Sequence, residues 1–151
     1  MKPVKHAVTS GVLGLVVYAF RGDPAPAVSC LLAGCMIDLD HIFDWVNNLG
    51  LRRGTLSLFN VYNHFDYETF EESSRDIIYF YVPLHSWELM IGFWSLCLFY
   101  PMGPVITSAF LSLTLHLYLD QRYNRVKPLS YFFIYRMYKR FKTAALLDSQ
   151  R

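Results

Sequence analysis

The chain has 151 residues, one domain's worth, and 54% of them are hydrophobic while only 17% are charged. An ordinary soluble domain carries about 25% charged residues, so a disordered or low-complexity chain is excluded, and the glycine and proline content breaks any coiled-coil heptad. A net charge of +2 is too small to point to nucleic acid, and no nucleic-acid partner is expected.

Four apolar segments follow in chain order. The first is Ala7–Phe20, reaching about 20 residues if it is counted from Pro3 to Gly22, the length a membrane span needs. The second runs Pro24–Trp45, with a proline placed to start a helix and Asp38, Asp40 and Asp44 in its last turns. The third is Pro83–Tyr100, and the fourth Met102–Leu119 opens on the turn Pro101-Met-Gly-Pro. Arg21-Gly-Asp-Pro makes a second tight turn, between the first two segments. Small residues recur at spacing four (Ser10/Gly14, Ser29/Ala33, Cys30/Gly34), which lets helices in lipid approach closely. The three cysteines, Cys30, Cys35 and Cys97, form no CxxC pair and read as apolar filling.

Between the second and third segments lies a polar and aromatic stretch, 46–82, expected as a surface loop with a short helix near Tyr67–Ile78. After the fourth, Pro128–Leu147 carries Leu129, Phe133, Met137 and Phe141 apart from Arg136, Lys139 and Arg140. That pattern predicts a basic amphipathic helix contacting anionic lipid. The expected architecture is therefore all-α: a bundle of about four transmembrane helices over 1–127 and an interfacial tail helix over 128–151. If the four segments span, 13 of the 14 Lys and Arg residues fall on one side and only Arg21 on the other. The positive-inside rule then places both termini in the cytoplasm, with the protein integral to the inner membrane.

Charged groups inside a span cost about 2.5–3.5 kcal/mol each on insertion scales, so they need a reason. Here they gather at one depth, near the cytoplasmic ends: His6 on the first helix, Asp38, Asp40 and His41 on the second, His85 and Glu88 on the third, His116 and Asp120 on the fourth. His116 and Asp120 are i, i+4 and share a face; His85 and Glu88, like Asp38 and His41, are i, i+3. Asp40 stands about 200° from Asp38 on a regular helix, so either the helix ends near it or Asp40 works with Asp44 in another role. The apolar segments hold no lysine or arginine beside these acids, and a bound cation supplies the missing charge. Imidazole with carboxylate suits Zn²⁺ first, with Mn²⁺ or Fe²⁺ as alternatives, as one or two ions.

These residues resemble those of the bacterial and archaeal membrane-bound metal-dependent hydrolases: His6 near the N-terminus, D-x-D-H at Asp38–His41, and His85-Ser86. The H-x₃-D of His116–Asp120 is also similar to motifs of the zinc phospholipase C and single-strand nuclease superfamily. The sequence departs from the family where Tyr81-Val-Pro-Leu precedes His85, in place of an Arg-bearing second His motif. The resemblance implies hydrolysis of a lipid-linked ester, above all a phosphoester, at the cytoplasmic leaflet. His6, Asp38, His41, His85, His116 and Asp120 are the expected metal ligands, with Asp40 open to the same role. Glu88 or Asp40 is the expected general base, and His64, Arg52 and Arg53 are candidates to contact substrate. The competing functions are non-enzymatic: a metal or proton path through the same residues, or a small membrane subunit that binds a partner's helix. Oligomeric state is left open.

Overall fold

The computed structural model describes residues 3–45, 78–124 and 126–147. The expected loop helix near Tyr67–Ile78, apart from Ile78 itself, and the substrate candidates Arg52, Arg53 and His64 lie outside these residues. Helices dominate, and among the described residues there is no strand, only two isolated bridges, Tyr79 with Lys142 and Val126 with Leu147.

Helix α1 covers Pro3–Arg21 and α2 covers Pro24–Met36. The turn between them is set by local chemistry. Gly22 takes φ +68° and returns its N–H to the Tyr18 carbonyl at 2.8 Å, a left-handed helix stop that glycine adopts without strain. Asp23 then caps α2 by accepting from the Ala25 N–H at 3.0 Å, ahead of Pro24 in the first turn. The second segment does not run through as one helix. It turns at Ile37–Asp38 and resumes as α3, Leu39–Trp45, with tight bonds from Asp40 N to Ile37 O and from His41 N to Asp38 O. Helix α4 covers Trp87–Phe99 and α5 covers Pro104–Tyr123.

Helix α2 packs along both α1 and α5, and α4 leans on α5. Phe93 stacks on Phe110 with ring centroids 3.5 Å apart, and Trp94 Nε1 donates to Thr114 Oγ1 at 3.0 Å. The three-helix contact depends on small side chains. Ser112 Oγ donates to Ser10 Oγ at 3.2 Å, and Gly34 sits against both. A methyl group at Gly34 would collide with the Ser10 side chain and come within 2.7 Å of Ser112 Oγ. We therefore expect Gly34→Ala to destabilise the bundle by about 1–3 kcal/mol, the cost of overpacking a tight contact. Thermal unfolding in detergent checks this, and an unchanged midpoint contradicts it.

The tail departs from its expected form. Instead of one amphipathic helix it makes a 3₁₀ turn at Pro128–Tyr131, then α6 over Phe133–Tyr138 and α7 over Thr143–Leu146. Arg140 and Phe141 take φ +54° and +56°, and Phe141 N–H reaches back to the Arg136 carbonyl at 2.8 Å, which ends α6. The tail then folds back on segment 78–80, through Phe80 N to Phe141 O at 2.8 Å and Thr143 N to Ile78 O at 3.1 Å. Arg136, expected on the wet side of an interfacial helix, is wholly buried.

Thirteen polar or charged residues are buried among the described residues against nine hydrophobic ones, while Val4, Val8, Val12, Leu15, Leu98 and Phe99 face outward. Among the described residues one stretch, Pro24–Asp44, which includes the turn between α2 and α3, is long and apolar enough to cross a membrane; α4 is apolar but shorter.

Candidate metal centre

The break at Ile37–Asp38 decides what the second segment contributes. Asp38 leaves the end of α2 and Asp40 starts α3, so both carboxylates face the same cluster although a regular helix would separate them. His85 arrives from a turn rather than a helix, since α4 begins only at Trp87. His116 and Asp120 come one turn apart on α5, and His6 from the first turns of α1.

Four atoms converge. His116 Nε2 lies 3.3 Å from Asp38 Oδ1 and 3.3 Å from Asp120 Oδ2. His85 Nε2 lies 3.5 Å from Asp38 Oδ1 and 3.4 Å from Asp120 Oδ2. Edges of 3.3–3.5 Å are of the length that donors at about 2.0–2.1 Å from one shared ion leave between them, and the Asp38, His85, His116 and Asp120 cluster could hold a metal ion.

The outer atoms of three of these side chains are already engaged. His116 Nδ1 is 3.0 Å from the Gly34 carbonyl, a contact that puts its proton there and its lone pair on Nε2. His85 Nδ1 is 3.0 Å from Asp40 Oδ1, so its Nε2 likewise faces the cluster. Asp120 Oδ1 is 2.9 Å from His6 Nε2, and the His6 ring stacks on His116 at 3.5 Å. The inward Nε2 atoms of His85 and His116 are buried and make no hydrogen bond within the described residues. Buried polar atoms left so are costly, and a metal ion satisfies them.

Of the residues expected as ligands, Asp38, His85, His116 and Asp120 supply these four atoms. His6 stands behind Asp120 and orients it. Asp40 stands behind His85, and it is itself fixed by the Leu84 N–H at 2.9 Å. His41 lies to one side, its Nε2 3.9 Å from Asp38 Oδ1 and its ring edge-on to His85. With Asp40 and His85 it makes a second, smaller group of donors. That group shares His85 with the first, and Asp40 already holds His85 Nδ1.

Glu88 is not in the cluster. Its carboxylate accepts from Phe133 N at 2.8 Å and Ile134 N at 2.9 Å, capping the start of α6. The i, i+3 relation to His85 does not apply, because His85 precedes the helix. The expected role as general base is therefore corrected to that of a helix cap. Glu88→Gln should keep its metal and loosen the tail by about 1–2 kcal/mol, since an amide offers one acceptor where two are needed. Faster amide exchange at Phe133 and Ile134 with unchanged metal content is the expected readout.

Two contributors were not anticipated. Arg136 donates to the Val82 carbonyl at 2.8 Å and the His85 carbonyl at 3.0 Å, bringing a cation beneath the loop that presents His85. Burial lowers its pKa from the ordinary arginine value, while Asp40, Glu88 and Asp44 pull the other way. Asp44 holds the other edge of this loop, accepting from Tyr81 N at 2.7 Å and Val82 N at 3.3 Å. Between these anchors Val82 has φ +30°, a conformation rare for a β-branched residue and held only because the surroundings over-determine it.

Comparison with family models, curated proteins and solved structures gives no match. The class defined by the fold and the site is an all-α protein with a buried His/Asp cluster able to hold a metal ion.

Proposed function

We propose that this protein is a membrane-embedded, metal-dependent hydrolase acting on a lipid-linked phosphoester at the cytoplasmic leaflet. The observation that carries the reading is the set of four converging donor atoms from Asp38, His85, His116 and Asp120, with His85, His116 and Asp120 each tied on the outer side and both imidazole Nε2 atoms buried without a hydrogen bond. The outward apolar surface of α1 and α4 and the 13-to-1 sorting of cations support placement in the inner membrane with four spans and both termini cytoplasmic. Exposed Leu129, Ile134 and Met137 beside Arg140 and Lys142 suit the tail to an anionic lipid surface even without a single long helix.

Zinc, with Mn²⁺ or Fe²⁺ as alternatives, would be held by Asp38, His85, His116 and Asp120 with a further position open to water on the side of the cavity that His85 and Asp120 line; such an ion would make that water acidic and stabilise charge building on oxygen. Two carboxylates and two neutral imidazoles leave a divalent ion electrically balanced rather than over-neutralised. His6 and Asp40 keep Asp120 and His85 in place. With Glu88 capping the tail and Asp40 locked under His85, His41 is the side chain suited to accept the proton of the attacking water. It lines a small cavity that His85 and Asp120 also reach. In the balance of the reaction, the water oxygen bonds to phosphorus, the ester P–O bond breaks, and the departing alcohol takes a proton.

A permeation path is disfavoured by packing. On the far side of His116, Ser10, Gly34 and Ser112 are in contact and leave no room for even a methyl group. The test is turnover of a panel of phospholipids and polyprenyl phosphates by purified protein, with and without chelator. Release of phosphate or alcohol that chelation stops supports the reading. Bound metal with no turnover on any member opposes it.

A further inference from the structure

A cavity of about 20 Å³, room for one water-sized group, opens against two of the four donors, His85 and Asp120. Arg136 and Tyr131 also line it. The terminal nitrogens of Arg136 are spent on the Val82 and His85 carbonyls, but its Nε is buried with no hydrogen-bond partner among the described residues. Tyr131 Oη accepts from Asn124 Nδ2 at 3.3 Å, and its own proton meets no acceptor among the described residues. Burial holds this phenol well above its ordinary range, so it stays a donor. Two residues with a buried donor to spare thus line one space together with two of the metal donors.

We infer that this cavity is an oxyanion hole, taking one oxygen of a tetrahedral phosphoryl group from Arg136 Nε–H and Tyr131 O–H. It rests on the hydrolase reading for its substrate class. The space has room for an oxygen, and His85 and Asp120 on its wall join it to the donor cluster, where the remainder of the group would lie. Preorganised donors of this kind act on charge as it develops and need not reorganise during reaction.

The probe is orthophosphate, titrated into zinc-loaded, detergent-purified full-length protein and followed by ³¹P NMR. Orthophosphate is expected to bind, and Tyr131→Phe, which keeps the ring and its packing, should weaken it by about tenfold with metal content unchanged. Arg136→Lys keeps the charge but lacks Nε, and, compared at equal zinc occupancy because the substitution also removes a bond to the loop that carries His85, should weaken binding to a similar degree. Dodecyl phosphate binding tighter than orthophosphate would assign the group to a lipid, and equal binding would assign it to a soluble ester; the hole stands in both. Equal orthophosphate affinity in the wild type and Tyr131→Phe overturns the proposal, as does failure of the zinc-loaded wild type to bind it. Phosphate binding without turnover of any lipid substrate would instead sink the hydrolase reading and leave the anion site.

Discussion

His116→Ala is expected to lower zinc affinity by well over the about 10–100-fold that loss of a partner behind a metal ligand costs, because it removes a donor itself. His116 gives Nε2 to the cluster and anchors Nδ1 on the Gly34 carbonyl, so alanine removes a directional bond and leaves that buried carbonyl unpaired. His41→Gln should behave differently. His41 stands 3.9 Å from Asp38 and outside the four converging atoms, so metal content should hold while turnover falls by about 10²–10⁴-fold, the usual contribution of a general base. Competition with a chromophoric chelator reads the first effect and single-turnover kinetics the second. Equal metal loss in both variants would mean that His41 is a ligand and that the assignment of four donors is wrong.

Arg136→Met should cost about 3–5 kcal/mol, because two charge-assisted hydrogen bonds to buried carbonyls disappear and methionine replaces only the apolar stem. The loss should also reach the metal. Arg136 holds the loop from Val82 to His85 from one edge while Asp44 holds the other, and Val82 keeps its unfavourable φ only under both restraints. Thermal unfolding in detergent should show a lowered midpoint, with zinc affinity falling in parallel. An unchanged midpoint would place Arg136 outside the support of the site.

The gathering of polar groups into one cluster was legible because it needs only hydropathy, chain direction and helix length. His6, Asp38, His116 and Asp120 reach a common centre by that logic alone. Spacing rules failed where a helix was assumed and a turn stands. Asp38 and Asp40 point the same way because α2 breaks at Ile37–Asp38, one of the two options the 200° offset left open. Glu88 was misassigned because its relation to His85 was read on a helix that starts two residues too late. Arg136 was hidden for a different reason. The tail shows an amphipathic period, and a basic residue on such a helix belongs in water; only the left-handed pair Arg140–Phe141 and the return onto segment 78–80 turn it inward. Neither feature carries a glycine that would have marked it. Packing at Gly34 was foreshadowed by the small-residue spacing, but its second use, offering a carbonyl to His116, depends on tertiary contact.

The central claim is that four side chains from three separate parts of the chain hold one ion. X-ray absorption at the zinc edge, on purified protein of known metal stoichiometry, tests it most directly. The account predicts one zinc per chain in a shell of nitrogen and oxygen that holds two imidazoles, two carboxylate oxygens and a water, with no sulfur, since Cys30 is tied to the Ser108 carbonyl and no cysteine belongs to either group of donors. A sulfur ligand, or a protein that binds no zinc when refilled after chelation, would contradict it.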